Sequence, residues 1–475
     1  MHSSTDDILA LDALEQAALL ARREVSCAEL MGATLERIAR VNGRVNAIVS
    51  LRDEAELMDE ARAADDTPRR GWMHGLPVAV KDLANAAGLP TSMGSPLFAG
   101  QVAATDDLMV ARMRAAGAIF IGKTNTPEFG LGSHTFNPVH GATGNAYDPT
   151  RSAGGSSGGA AVALACGMLA VADGSDMMGS LRNPAGWNNV YGFRPSWGRV
   201  PEAAEGETFL HSLSTSGPMA RAPRDLAALL SVQAGPEPRR PFGLPREAFL
   251  EGLGGDVSGR RIGWLGDWGG AYAMEPGILA LCESALAEFA ALGVAVESVP
   301  PPFPATDLWR AWLDLRAFAN ANRLAPLYDD PAKRARLKPA AIWEIETGRQ
   351  LTLDAVQQAS LIRSRWYARA AELFEQFDAL VLPTAQVWPF DIGIVHPEAI
   401  GAQTMDTYHR WMEVVIPASL IGLPALAVPA GFGAEGLPMG MQLIGRHGDD
   451  RGLLQLADAW HRASNWPGRR PPPMP

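Results

Sequence analysis

A serine that follows a glycine in a tight turn is well placed to attack a carbonyl, and Ser180 occupies such a place at the end of Asp173-Gly-Ser-Asp-Met-Met-Gly-Ser180. The turn gives the hydroxyl reach, and its free N–H groups offer an oxyanion site; acyl transfer needs both. A serine hydroxyl is nearly inert at neutral pH, so a base must be found. The nine histidines answer poorly. None stands in a His-Asp context, and Met-Gly-Ser-Leu-Arg around Ser180 lacks the second glycine of a nucleophile elbow; His134 and His140 read as loop residues. Lys81 is the better candidate, because it ends the apolar, strand-like run Gly75-Leu-Pro-Val-Ala-Val-Lys81. Burial disfavours the charged ammonium and makes the neutral amine available. Between the two lies Arg151-Ser-Ala-Gly-Gly-Ser-Ser-Gly-Gly159, whose glycines signal close backbone approach or φ values barred to other residues. It is not a phosphate loop, since Gly159 is followed by Ala-Ala-Val rather than Lys-Ser/Thr.

The order Lys81, then Gly-Gly-Ser-Ser-Gly-Gly over 154–159, then Asp-x-x-Gly-Ser-x-Arg-x-Pro-Ala from Asp176 resembles the signature of the amidase signature family of serine hydrolases. Gly122-Lys-Thr-Asn-Thr-Pro-Glu-Phe129 and Gly436-Leu-Pro-Met-Gly-Met-Gln-Leu-Ile-Gly445 extend the likeness over most of the chain. The resemblance implies a triad of Lys81, Ser156 and Ser180. Ser180 would be the nucleophile, and Ser156, after a cis peptide bond, would relay its proton to Lys81. Ser157 would support them. The backbone N–H groups of Met177, Met178, Gly179 and Ser180 would form the oxyanion hole, Asp176 and Arg182 would hold the turn, and no metal or cofactor is called for. One departure is Met178, where many relatives carry glycine; its side chain either lines the acyl pocket or points into the core. Phe129 and Trp187 inside the signature region, and Trp309 and Trp411 in the later half, are the other candidates for a substrate pocket.

By this resemblance the chain would cleave the C–N bond of a carboxamide, anilide or carbamate through a seryl acyl-enzyme. The apolar surroundings of Ser180 favour an aryl or alkyl substrate over a charged one. The alternatives are a urethane or ester hydrolase of the same family, a catalytically silent small-molecule-binding relative, and a tRNA amidotransferase A-type subunit.

The elements that must position these residues alternate between helix and strand along the chain. Leu9, Leu11, Leu14, Ala17 and Leu20, then Leu30, Ala33, Leu35 and Ile38 after a Ser26 cap, recur at helical spacing. Strands are expected at 77–81, 118–122, 168–172, 190–193, 261–265, 294–299, 379–382, 425–428 and 439–444. Helices are expected at 106–117, 157–167, 223–232, 276–292, across most of 308–373, at 405–420 and at 453–464, and 233–253 reads as a surface connection. This alternation predicts one α/β domain over 1–475, a central mixed β-sheet covered by helices on both faces. Within it, 1–70 is a helical N-terminal region, 75–198 the signature core and 255–465 the variable half that shapes the pocket. Composition agrees: 47% hydrophobic and 20% charged residues describe a globular chain with a large core, and a net charge of −11 disfavours nucleic acid as a partner. Three scattered cysteines suggest neither a disulfide framework nor a zinc site. The N-terminus lacks a basic and an apolar region, and the apolar run 160–172 is too short to span a bilayer. A cytoplasmic enzyme acting on a small molecule, monomer or homodimer, is the expectation.

Overall fold

The apolar run that ends in Lys81 forms the strand Pro77–Lys81, and all five of its residues are buried. Such a continuously apolar strand belongs inside, covered on both faces. The computed structural model describes residues 5–202 and 207–473. The first four residues of the N-terminal stretch expected to carry no leader, and the last two of the Pro-rich tail, lie outside the described residues.

Pro77–Lys81 pairs in parallel with Ile119–Thr124, which pairs in turn with the short antiparallel strand Ile48–Val49. A larger mixed sheet of eight strands runs Ala295–Ser298, Arg261–Trp264, Ala379–Pro383, Pro438–Ile444, Ala425–Phe432, Tyr191–Arg194, Thr215–Ala220 and Val171–Asp176 in spatial order. The first three are parallel to one another and the rest antiparallel to their neighbours. Lys81 lies on the edge of the small sheet and Asp173 on the edge of the large one. A side chain closes the seam, because the Lys81 N–H donates to Asp173 Oδ1 at 3.1 Å. The first candidate catalytic residue therefore stands where the two sheets meet.

Helices cover the sheet as expected. Ala13–Arg22 and Cys27–Val45 form the N-terminal region, and Ser26 caps the second reciprocally with Glu29. The helix Gly158–Ala165 behind the Gly/Ser loop packs tightly: a Cβ on Gly159 would lie 2.3 Å from the backbone nitrogen of Asn125. Only glycine allows that approach. Two expectations are corrected and one strand is added. The strand expected at 168–172 begins at Val171 and runs to Asp176, since Gly167 (φ +65°) first turns the chain. The helix expected over 405–420 is a 3-10 stretch Arg410–Val415 followed by a short helix Ile416–Leu420. Pro417 explains the break, as it cannot continue a helix already begun but can start one. Thr215–Ala220 is a buried central strand that sequence patterning did not indicate. Among the described residues no helix is long and apolar enough to cross a membrane, and the three cysteines are free and buried.

Candidate active site

Lys81 is 1% exposed, and its Nζ lies 2.8 Å from both Ser156 Oγ and Ser157 Oγ. Ser175 completes the surroundings, with Oγ at 3.1 Å and its carbonyl oxygen at 3.4 Å. Burial pulls the Lys81 pKa down to about 7, against the opposing pull of Asp173 and Asp176. A substantial neutral fraction is thus present near neutrality. Burial likewise raises Asp173 to about 6, while the Lys81 N–H, Lys123 and Lys81 favour its charged form.

The Gly155–Ser156 peptide bond is cis. Ser133 Oγ donates to the Gly155 carbonyl at 2.6 Å, so the loop is fixed from the side. The next residue ties loop to turn: the Ser157 N–H donates to the Ser180 carbonyl at 3.3 Å. Ser156, Ser175 and Ser180 line one cavity of about 80 Å³ together with Phe129, Met177 and Met178. Lys81 sits behind Ser156.

The Ser180 turn is organised by Asp176. Its carboxylate accepts the N–H of Gly179 at 2.9 Å and of Leu181 at 3.1 Å, and Arg182 grips it with Nε at 3.0 Å and Nη2 at 2.9 Å. Burial alone would raise the Asp176 pKa, but Arg182 and Arg194 hold it below the usual carboxylate range. Both oxygens are occupied, as a buried carboxylate requires. Arg182 reaches further, to Val415 O at 2.9 Å, Gln442 Oε1 at 2.6 Å and Ser419 Oγ at 2.6 Å. Asp176 and Arg182, expected to hold the turn, are thus both bonded within it.

Of the four N–H groups expected to form an oxyanion hole, one is already engaged. The Gly179 N–H is spent on Asp176, which leaves Met177, Met178 and Ser180, whose N–H groups meet no acceptor among the described residues. Met178 is 3% exposed and lines the cavity, so its two alternative placements coincide. Phe129 also lines it. Trp187 and Trp309 do not. Trp187 is fully buried and stacks on Trp411 at 6.0 Å between centroids, while Trp309 packs against the Arg410 guanidinium at 4.3 Å. Trp411 borders a neighbouring cavity of about 660 Å³ that shares Leu131 and Gly132 with the first.

Sequence reasoning did not single out Asp173 and Ser175, though both stand in the segment that ends at Ser180; the signal was proximity alone. Arg316 and Asn320, which also line the cavity, come from the long helix Ala305–Tyr328 and carry no local signature. Among the described residues no group of three or more His, Cys, Asp or Glu side chains is placed to hold a metal ion.

The profile of the Amidase family matches residues 29–454. An acylamidase of Rhodococcus erythropolis is 33% identical, with 97% of each chain covered, and the A-type subunit of a glutamyl-tRNA(Gln) amidotransferase from Chloroflexus aurantiacus is also 33% identical over 96% of each. Among solved structures, a bacterial aryl acylamidase of the amidase signature family superposes with a TM-score of 0.89 at 29% identity, covering 97% of this chain and 99% of that one. The chain belongs to the amidase signature family, hydrolases acting on the C–N bonds of amides.

Proposed function

We propose that Ser180 is the nucleophile of a free-standing amidohydrolase, with Ser156 as proton relay and Lys81 as base. The observation that carries this reading is the 2.8 Å approach of a buried lysine to Ser156, on the wall of the cavity into which Ser180 opens. Neutral Lys81 accepts the Ser156 proton as Ser156 accepts that of Ser180, and Ser180 Oγ bonds to the carbonyl carbon. The carbonyl oxygen becomes an oxyanion facing the N–H groups of Met177, Met178 and Ser180; losing one such donor costs about 3 kcal/mol of transition-state stabilisation. Ser156 returns the proton to the departing nitrogen, drawing on Lys81. Water then attacks the acyl-enzyme through the same relay and releases the acid. Ser157 and Ser175 orient the Lys81 amine.

The substrate is an amide or anilide with an aryl or alkyl part, a reading supported by Leu83, Leu131 and Met412 beside Phe129 and Met178 on the cavity wall. A cavity of about 80 Å³ is small beside the ~300–1,000 Å³ of ordinary ligand sites. It admits the reacting group and a short arm, and the larger cavity beyond Leu131 and Gly132 has room for the rest. Carbamates and esters fit the same acyl-enzyme chemistry.

The test is amine release from a panel of aryl amides, aliphatic amides, carbamates and ureas by wild type and by Ser180→Ala, with a fluorophosphonate probe reporting on Ser180. Release and labelling by wild type alone are expected. Labelling and release retained in Ser180→Ala would remove it as nucleophile. A second reading, a component of an amidotransferase, is favoured by the equally similar Chloroflexus relative. Hydrolysis by the purified chain without any partner counts against it.

A further inference from the structure

One helix contributes three donor side chains to the lining of the cavity that Ser156 and Ser180 also line. Arg316, Asn320 and Arg323 lie at i, i+4 and i+7 on Ala305–Tyr328 and share a face. Arg316 is held in place by its neighbours: Nε donates to Glu344 Oε1 at 2.6 Å, and Nη2 donates to Tyr408 OH at 2.8 Å. Tyr408 donates in turn to Glu344 Oε1 at 2.6 Å, which closes the cluster. The remaining nitrogen, Nη1, meets only the Met177 thioether at 3.4 Å, a weak acceptor. Asn320 is fully buried, and its Nδ2 has no partner among the described residues. Its orientation is fixed, because Asn320 Oδ1 accepts from Arg323 Nη2 at 3.3 Å; the reverse orientation would set donor against donor.

Among the described residues no Asp or Glu lines this cavity. Two side chains that line it thus carry buried donors without a strong acceptor, Asn320 Nδ2 with none among the described residues and Arg316 Nη1 with only a thioether, and an unmade buried hydrogen bond is costly. A carboxylate supplies two acceptor oxygens in one plane and makes both bonds charge-assisted. We propose that the substrate carries a carboxylate, which Arg316 Nη1 and Asn320 Nδ2 receive while Arg323 adds charge at the rim. The inference rests on the amidohydrolase reading and sharpens it. The apolar wall accommodates the substrate's hydrocarbon body, and the helix reads its acidic end.

Two matched pairs test it. The first is the 4-nitroanilide of succinic acid, with its free carboxylate, against that of 4-methylpentanoic acid, in which an isopropyl group replaces the carboxylate. The second puts the acid on the amine side: the butanoyl amide of 3-aminobenzoate against that of 3-isopropylaniline. In at least one pair the acid should have the higher kcat/KM by about tenfold or more, the size expected of a charge-assisted hydrogen bond. Asn320→Leu should erase most of that ratio, and Asn320→Asp, nearly identical in shape, should reverse it by repulsion. A ratio between two substrates of one protein is insensitive to loss of folded material, and the wild-type ratio needs no variant. Equal or faster cleavage of the isopropyl member in both pairs overturns the proposal, as does a preference that survives both substitutions. Four inert substrates with Ser180 still labelled by a fluorophosphonate overturn it too. Absence of labelling instead overturns the amidohydrolase reading beneath it.

Discussion

A lysine serves as a base only once it has lost its proton, and the pKa of about 7 at Lys81 places that event in the working range. Below it, kcat/KM should fall about tenfold per pH unit, and above it the profile should level off. Two carboxylates oppose the effect of burial. Asp173, on the neighbouring strand, favours the ammonium form by its charge and accepts the Lys81 N–H at 3.1 Å. Asp173→Asn keeps an acceptor oxygen for that N–H and removes the charge. The sign follows: with less negative charge nearby, the ammonium is less favoured and the Lys81 pKa drops. The acid limb should therefore move to lower pH by about one unit. A pH–rate profile of wild type and variant checks it, and a limb that stays fixed or moves to higher pH would detach it from Lys81.

The elements that carry the proposed triad differ in how readable they are. Pro77–Lys81 and the Gly/Ser loop are local patterns, an apolar run and a glycine cluster, and both lie where the sequence placed them. The Ser180 turn is local as well. Gly179 has φ +82°, and a Cβ there would sit 3.0 Å from Val415 Cγ1 and Cγ2. Gly179→Ala should cost about 1–2 kcal/mol for the left-handed backbone alone, with more from the contact, and should lower kcat by displacing the Ser180 hydroxyl. Measuring the fluorophosphonate labelling rate beside circular dichroism separates a misplaced nucleophile from an unfolded one; unchanged labelling would mean the turn tolerates a side chain. What the sequence did not reveal is non-local. Thr215–Ala220 contains Gly217 and Pro218 and has little β-forming character, yet it is a strand because it is paired on both edges, to Val171–Asp176 and to Tyr191–Arg194. The tryptophans fail for a related reason. Residue type marks Trp187 and Trp309 as large and apolar, but which side of an element meets a cavity depends on partners far away, here Trp411 and Arg410. The Gly179 N–H escapes a sequence reading in the same way, since the pattern marks its acceptor, Asp176, as a support for the turn without assigning its individual bonds.

At the scale of the molecule, the signature core is not self-sufficient. Arg182, which grips the Asp176 turn, takes three further acceptors from residues 415–442, so the support of the Ser180 turn is assembled from both halves of the chain. A second buried tie joins the end of the signature core to the C-terminal helix. Asp450 accepts the Ser196 N–H at 2.7 Å and Arg199 Nε at 2.9 Å, and Asp450 and Arg199 are almost completely buried. Removing one partner of such a pair leaves a charge in a dry interior and costs about 3–5 kcal/mol. Arg199 retains Glu247 at 2.5 Å, which puts Asp450→Ala toward the lower end of that range. Because the active site depends on both halves, the loss should appear in the whole molecule at once. In urea, the variant should unfold at lower concentration, and tryptophan emission and Ser180 labelling should be lost over the same range. Labelling that persisted after the tryptophan signal of the C-terminal half had gone would show a core able to hold Ser180 unaided. The Arg182 contacts argue against that outcome, because a turn stripped of Val415, Ser419 and Gln442 would leave its own arginine buried without three of its acceptors.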